Sequence, residues 1–173
     1  KAATEVNLRQ RRILFEKIRA FFGGSVAGKT IAMWGLAFKA NTDDMREAPS
    51  LALIEALTGG GARVQAYDPV AGENARRLLR DHSAVSIVSS ARAAVEGADV
   101  LAVLTEWLEF RSPDFDWLAR SLKARALFDG RNLYDVGAVV PEARDLAGVL
   151  LAQTRKMQEA VHGLRDVKDS RTI

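Results

Sequence analysis

Short apolar runs alternate with longer mixed stretches along most of this chain. Runs of about four to eight apolar residues, bounded by glycine, proline or charged residues, are typical of buried strands. We predict five strands, at 29–34, 63–67, 85–88, 100–104 and 126–129. Because helical stretches separate these strands, the pattern predicts an α/β fold with a parallel sheet and helices on both faces.

The stretches outside the strands carry apolar residues at helical spacing. We predict helices at 4–22, 51–61, 72–79, 91–96, 114–121 and 141–163, with a polar terminus after the last of them. Ser50 is the predicted N-cap of the second helix, because a serine side chain can accept a hydrogen bond from the first helical turn. The first helix is unusually apolar, since it contains Phe15, Phe21 and Phe22.

The composition agrees with a globular protein. The chain has 173 residues, of which 48% are hydrophobic and 27% charged, and this suits one domain with appended helices. It contains no cysteine, which favours a reducing compartment such as the cytoplasm and excludes thiolate chemistry. No apolar run approaches the roughly 20 residues that cross a bilayer, so no membrane contact is predicted.

The charge balance is only slightly basic. The 25 cations exceed the 22 anions by three, and they are dispersed along the sequence. A mixed surface is therefore expected, and no nucleic-acid partner. The chain begins at Lys1 without an initiator methionine, which predicts a fragment or a processed product.

The stretch after the first predicted strand is the richest in candidate binding residues. In open α/β sheets, ligands bind beyond the carboxyl ends of the strands, which is where this stretch is expected. Gly35 permits a sharp turn, and Lys39 and Arg46 place two cations suited to phosphate groups on one loop. A solvated loop whose neighbouring carboxylates balance these cations is an equally good interpretation on physical grounds.

Two further stretches follow strands at the same predicted edge. Arg131 comes directly after the last predicted strand, so it either converges on the crevice of Lys39 or occupies a simple exposed turn. Trp107 follows the strand at 100–104 and is a candidate for stacking on a base or sugar. A lone aromatic residue more often packs in the core, and that alternative is preferred.

The common phosphate-binding motifs are absent or misplaced. No G-x-G-x-x-G follows the first strand, so the usual dinucleotide fingerprint is missing. The sequence Gly28-Lys29-Thr30 is similar to the end of a P-loop, but it precedes a strand whereas a P-loop follows one. His82 and His162 lack ligand spacing and are expected at the surface, so no metal site is predicted.

Four motifs, in this order and spacing, resemble one known family. They are GLAFKANTDDMREAPS, AYDP, TEWLEF and DGRNLYD, and they resemble the carboxyl-terminal domain of the UDP-glucose/GDP-mannose dehydrogenase family. The resemblance covers about residues 5–135 and includes VNLRQ, which is similar to the end of the helix that links the two domains of family members. It implies a Rossmann-like domain that closes over a nucleotide sugar.

The motifs are most similar to those of family members that act on UDP-glucose. The resemblance implies a two-step oxidation of the C6 alcohol of the sugar to a carboxylate, which uses two NAD and yields UDP-glucuronate. In the family, the NAD fingerprint and the catalytic cysteine lie in an amino-terminal domain, and neither occurs in this sequence. The isolated chain is therefore expected to bind rather than to catalyse.

The family's binding residues are carried over motif by motif. Phe38 and Lys39 match the pair that contacts the substrate, and Arg131 matches the arginine of the DGR motif that also contacts it. Arg46 matches the arginine that reaches NAD across the domain boundary. No residue of this chain matches a catalytic one.

The resemblance also implies a division of the chain. Residues 1–24 correspond to the end of the linking and dimerisation helix, 25–136 to the UDP-sugar-binding domain, and 137–173 to a divergent helical tail. Because the linking helix packs against its dimer mate in the family, a homodimer is predicted. The alternative is that this helix packs only on its own domain.

Two functional hypotheses follow. The chain is either the nucleotide-sugar-binding domain of a dehydrogenase or a non-catalytic module for binding or assembly with the same fold. The divergent tail favours the second hypothesis, and the four motifs favour the first.

Overall fold

Residues 13–134 and 150–153 are described in a computed structural model of the chain, and they form one parallel sheet with helices on both faces. The sheet has the order β3-β2-β1-β4-β5-β6. The strands are β1 (Thr30–Trp34), β2 (Arg63–Tyr67), β3 (Val85–Ile87), β4 (Val100–Val103), β5 (Ala126–Asp129) and β6 (Leu150–Gln153). The five strands predicted from the apolar runs are confirmed, each to within one residue at either end.

The helices also follow the sequence pattern closely. They are α1 (13–21), α2 (Pro49–Gly59), α3 (Gly72–Leu78), α4 (Ala91–Val95) and α5 (Phe115–Ser121), with a short 3-10 turn at Leu108–Phe110. The helices predicted at 72–79, 91–96 and 114–121 are confirmed. The helix predicted over 4–22 is present in its described part, and residues 4–12 lie outside the described residues.

β6 corrects the helix predicted over 141–163. Residues 150–153 form a strand parallel to β5, with Leu150 opposite Ala126 and Gln153 opposite Asp129. A short apolar run suits a strand as well as a buried helix, and its period alone does not distinguish the two. The free edge of β5 supplies hydrogen-bond partners that decide the matter for this segment. The rest of the predicted helix and the polar terminus lie outside the described residues.

Ser50 is the second correction to the predicted elements. Helix α2 begins at Pro49, and its N-cap is Ala48, which makes no side-chain cap. Proline suits the first position of a helix because its φ is already helical and its missing N–H is not needed there. Ser50 therefore lies inside the first turn, and its hydroxyl donates to the carbonyl of Leu36 at 2.6 Å.

β1 shows why the strands are apolar at nearly every position. Ile31 and Met33 face a layer that contains α1, α2 and α3, whereas Ala32 and Trp34 face a layer that contains α4 and α5. A parallel strand covered on both faces has no polar side, which explains the continuous runs. The buried side chains of α1 belong to the first layer, so the described part of this helix packs on its own domain.

The strand order places a crevice beside β1. The chain moves outward from β1 through β2 and β3 and then returns to β4 on the other side of β1. The loops after β1 and β4 therefore diverge, and such a switch point is where open α/β sheets bind ligands. The connection between β1 and α2 spans 35–48, far longer than the usual loops of roughly 2–6 residues, and long loops of this kind are usually functional. No helix among the described residues has the length and apolar character that crossing a membrane requires.

Gly35, at the start of this loop, provides a test of the close packing at the switch point. Its φ is 89°, and a Cβ built on it would lie 2.5 Å from the Cβ of Thr105. Gly35→Ala therefore adds backbone strain to a steric clash, and we expect the free energy of unfolding to fall by roughly 3 kcal/mol or more. Urea denaturation followed by circular dichroism measures this loss.

Gly97→Ala is the matched control. Gly97 has a φ of 70°, but nothing lies within 4 Å of the Cβ that would be added. Only the backbone strain of about 1–2 kcal/mol is then expected. Equal losses of unfolding free energy in the two variants would show that the close packing of Gly35 against Thr105 does not contribute to stability.

Candidate functional site

Arg131 joins three loops at the carboxyl edge of the sheet. It follows β5, and its Nη2 donates to the carbonyl oxygen of Phe38, on the loop after β1, at 2.7 Å. Its Nε lies 2.8 Å from Oε2 of Glu106, which follows β4. The structure thus brings Arg131 to the loop that carries Lys39, as the positions of the strand ends predict.

Phe38 and Lys39 present their side chains outward beside this junction. Phe38 is 42% exposed, which is unusual for so large an apolar side chain, and Lys39 is exposed as well. The backbone of Phe38 is not free to move, because its N–H donates to the carbonyl of Asp44 and its own carbonyl accepts from Arg131. An exposed aromatic ring and a lysine on one loop, with an arginine bonded to that loop, suit a ligand with a flat or sugar-like part and an anionic part.

The backbone around Arg131 is fixed by a buried carboxylate. Asp129 is fully buried, and its two oxygens accept from the N–H groups of Arg131 at 2.9 Å and Tyr134 at 3.0 Å. Between them Asn132 has a φ of 54°, a left-handed conformation that asparagine tolerates. The segment therefore wraps around Asp129, and this presents the arginine to the crevice.

Tyr134 closes the same turn. Its hydroxyl donates to the carbonyl of Phe110 at 2.6 Å. Burial, and then the nearby Asp129 carboxylate, raise the pKa of Tyr134 far above its usual value. The phenol therefore stays protonated at any physiological pH, and the hydrogen bond that ties this turn to the 3-10 segment is preserved.

Asp68, which directly follows β2, is the central acceptor of the site. It is 4% exposed, and its Oδ2 accepts from the N–H groups of Leu36 at 2.7 Å and Ala37 at 3.0 Å. The same oxygen accepts from Nε1 of Trp107 at 3.2 Å. The carboxylate therefore links the loops that follow β1, β2 and β4.

The other oxygen of Asp68 serves its own turn. Oδ1 accepts from the N–H groups of Val70 at 3.0 Å and Ala71 at 2.8 Å, so five donors surround one carboxylate. The sequence analysis missed this role, because it took the AYDP motif only as the end of a strand and as a family resemblance. The available signal was an acidic residue at the carboxyl end of a buried parallel strand, where a lone charge needs hydrogen-bond donors.

Trp107 belongs to the core. It is 7% exposed, and its indole N–H is directed at Asp68 rather than at a ligand. The preferred interpretation of this residue as core packing is therefore confirmed, and the stacking hypothesis is wrong. Its neighbour Thr105 is also buried, and its hydroxyl donates to the carbonyl of Ala37 at 2.7 Å.

Arg46 lies at a different place on the long loop. Its side chain is 88% exposed and forms an ion pair of 2.8 Å with Asp44. It lines an open cleft of about 600 Å³ together with other residues of 42–46 and with Asn74, Arg77 and Leu78. Phe38, Lys39 and Arg131 are not part of this lining. Lys39 nevertheless lies close enough to this cleft for its charge to lower the pKa of Asp44.

The pair between Asp44 and Arg46 has a titration signature. Side-chain and backbone hydrogen bonds from Arg46 lower the pKa of Asp44 from 3.8 to about 2. Because the folded-state pKa is depressed, the pair is fully present above the usual carboxyl pKa and is lost as the pH falls through about 2. The charges of this pair are therefore constant across neutral pH.

Carboxyl NMR titration tests this pair. We expect Arg46→Ala to move the titration midpoint of Asp44 from about 2 up toward 3.8, because both kinds of hydrogen bond from the arginine side are weakened or lost. Arg77→Ala, which removes another exposed guanidinium from the same cleft, should leave the midpoint unchanged. A midpoint near 3.8 in the unaltered chain would contradict the pairing.

Comparison with known proteins agrees with this geometry. The family model described as the UDP-glucose/GDP-mannose dehydrogenase family, UDP binding domain, matches residues 32–136. The chain is 51% identical over 133 residues to the UDP-glucose 6-dehydrogenase of Pseudomonas aeruginosa and 43% identical over 129 residues to that of Rhizobium meliloti. These alignments cover 74% and 75% of this chain but 29% of each relative.

A solved structure has a similar fold. A UDP-glucose dehydrogenase from the hyperthermophilic archaeon Pyrobaculum islandicum matches with a TM-score of 0.69 and 28% sequence identity, over 88% of this chain and 31% of that chain. The chain thus spans about three tenths of the length of the relatives it matches.

Proposed function

We propose that this chain, which belongs to the UDP-glucose/GDP-mannose dehydrogenase family and carries its UDP-binding domain, binds the nucleotide sugar in a UDP-glucose 6-dehydrogenase. The observation that carries the proposal is the contact of Arg131 with the backbone of Phe38, since it brings this arginine to the loop that carries Phe38 and Lys39. The oxidation of UDP-glucose to UDP-glucuronate, in two steps at C6, is then the activity of the whole enzyme.

The chemistry of the three residues suits the different parts of a nucleotide sugar. Lys39 supplies a compact cation and Arg131 a planar fork for the diphosphate. Two of the five N–H donors of a guanidinium serve Glu106 and Phe38, which leaves the others for a ligand. The exposed ring of Phe38 covers the apolar face of the base or the sugar.

We propose that NAD, the expected oxidant, is not bound in the crevice beside β1. The connection after β1 lacks the glycine-rich cradle, and Asp68, at the position of the acid that usually receives a ribose hydroxyl, accepts from five protein donors. These residues do not fit a dinucleotide in the usual way. The exposed Arg46 side chain instead suits contact with NAD held by another domain of the enzyme.

The alternative of a non-catalytic module has no support among the described residues. The divergent tail, which favoured it at the sequence level, contributes β6 to the same sheet rather than a separate element in its described part. The nucleotide-sugar-binding domain therefore accounts for both the motifs and the edge of the sheet.

Lys39→Ala tests the proposed site in this chain. A charge-assisted contact contributes roughly 1.5–3 kcal/mol, so its loss should weaken UDP-glucose binding about ten- to a hundredfold. Because Lys39 is exposed, the melting temperature should hardly change. Isothermal titration calorimetry with UDP-glucose, UDP and GDP-mannose measures the affinities, and differential scanning calorimetry measures the melting temperature.

Two further variants separate the binding role from a general charge effect. Lys123→Ala removes an exposed lysine that precedes β5, at the opposite edge of the sheet, and should leave both quantities unchanged. In the complete dehydrogenase, Arg46→Ala should weaken NAD rather than UDP-glucose. Equal losses for both ligands in both loop variants would mean that mutation merely disorders the loop.

We also propose that the chain forms a homodimer through its first helix. Leu14 and Ile18 are already buried in their own domain, whereas Phe21 is 36% exposed at the edge of Phe22 and Phe128. The apolar residues of 5–22 exceed what one face of a surface helix needs, and this excess supports a second packing partner.

Sedimentation equilibrium tests the assembly. We expect a dimer at micromolar concentration, and Phe21→Glu should shift the population toward monomer because it places a charge on the proposed contact. Glu16→Gln, a change at another exposed residue of the same helix that adds no charge and loses only an exposed ion pair with Arg19, serves as the control. A clean monomer of the unaltered chain at high concentration would show that α1 packs only on its own domain.

A further inference from the structure

We infer that Asp68 is a positioning residue of the proposed nucleotide-sugar site, which fixes the backbone of the loop that carries Phe38 and Lys39 and that Arg131 contacts. This inference rests on the proposed function and deepens it. Asp68 is buried and does not reach the crevice itself, because its two oxygens are occupied by five protein N–H groups. It can act on a ligand only through the loop that it holds.

Asp68 bonds to the backbone directly before Phe38 and Lys39. Asp68 accepts from Leu36 and Ala37, the two residues that precede Phe38 and Lys39, at 2.7 and 3.0 Å. Two consecutive peptide groups bound to one oxygen fix both the position of the strand end and the direction in which the chain leaves it. The side chain of Lys39 therefore starts from a defined place in an otherwise long loop.

The carbonyl groups of the same residues accept hydrogen bonds from other elements of the domain. Ser50 donates to the carbonyl of Leu36 at 2.6 Å, and Thr105 donates to that of Ala37 at 2.7 Å. The next carbonyl, of Phe38, accepts from Arg131. Donors on α2, on the β4 loop and on the β5 loop thus bond to the carbonyl groups, and Asp68 bonds to the N–H groups. Without the carboxylate, only the hydrogen bonds to the carbonyl groups would remain.

A carboxylate is required at this position because every group that faces it is a donor. Both oxygens accept, Oδ2 from three N–H groups and Oδ1 from two. An amide of the same size accepts through one oxygen only, and its NH2 group would point at N–H groups. Asp68→Asn therefore keeps the volume of the side chain and removes half of its accepting capacity.

Asp99→Asn is a matched control within the same sheet. Asp99 also accepts from a backbone N–H, that of Thr30, at 2.8 Å. It lies at the amino-terminal end of β1, across the sheet from the crevice. The two variants make the same chemical change at the two ends of β1, so only Asp68→Asn should affect ligand binding.

The test uses the full chain and UDP as the probe. Calorimetry well below the melting temperature should show UDP affinity reduced roughly tenfold by Asp68→Asn and unchanged by Asp99→Asn. Only Asp68→Asn should lower the melting temperature appreciably, because one amide oxygen at position 99 can still accept from the N–H of Thr30. The loss of affinity in the double variant of Asp68→Asn and Lys39→Ala should be smaller than the product of the two single losses, because the aspartate acts partly through the lysine. Unchanged affinity in Asp68→Asn, or losses that multiply in the double variant, would overturn the inference.

Hydrogen exchange separates this inference from the proposed function. Without ligand, Asp68→Asn should speed exchange at the amides of Leu36 and Ala37 and spare those of β1. Trp107→Phe removes a single donor to the carboxylate and gives a milder variant if the asparagine form does not fold. If the unaltered chain does not bind UDP, the proposed function fails. Unchanged exchange at Leu36 and Ala37 would instead show that the hydrogen bonds to Asp68 do not fix this backbone.

Discussion

The arrangement of the crevice depends on a buried carboxylate, that of Asp68, which forms no ion pair with the part of the chain that the structure describes. A carboxylate in this position is tolerated only if hydrogen-bond donors replace the water that it loses, and Asp68 obtains five such donors from three loops. Those donors cannot be supplied unless the loops after β1, β2 and β4 meet. The need to satisfy one charged group thus brings together segments that are far apart in sequence.

The opposite charge is handled differently at the mouth of the crevice. Arg131 is partly exposed, and it shares its donors between the Glu106 carboxylate and the Phe38 carbonyl. Its backbone is fixed by the buried Asp129, so the side chain starts from a defined position. Buried anions therefore set the backbone of the site, whereas the cationic side chains are exposed or partly exposed, as the proposed binding of a diphosphate requires.

The sequence predicted those parts of the fold that depend on local pattern. Five strands, the helices α3, α4 and α5, and the position of the turn at Arg131 follow from apolar runs bounded by turn residues. The segment 150–153 was assigned to a helix because its run of apolar residues fits both periods, and only pairing with the edge of β5 decides between them. Ser50 was assigned to a cap because serine favours that position, but Pro49 already supplies the first helical residue and frees the hydroxyl to bond elsewhere.

The sequence by itself determined the parallel sheet, the edge at which a site must lie and, through four motifs, the family to which the chain belongs. It could do so because burial on both faces leaves a periodic trace and because parallel strands all end at the same edge. Tertiary structure alone decided which polar residues at this edge are buried in the protein and which are exposed to solvent. Trp107 and Asp68 lie at strand ends just as Lys39 and Arg131 do, yet the first two bond to each other in the interior. A hydrogen bond between residues from different strands depends on strand order, and that order is not encoded in the pattern of any one segment.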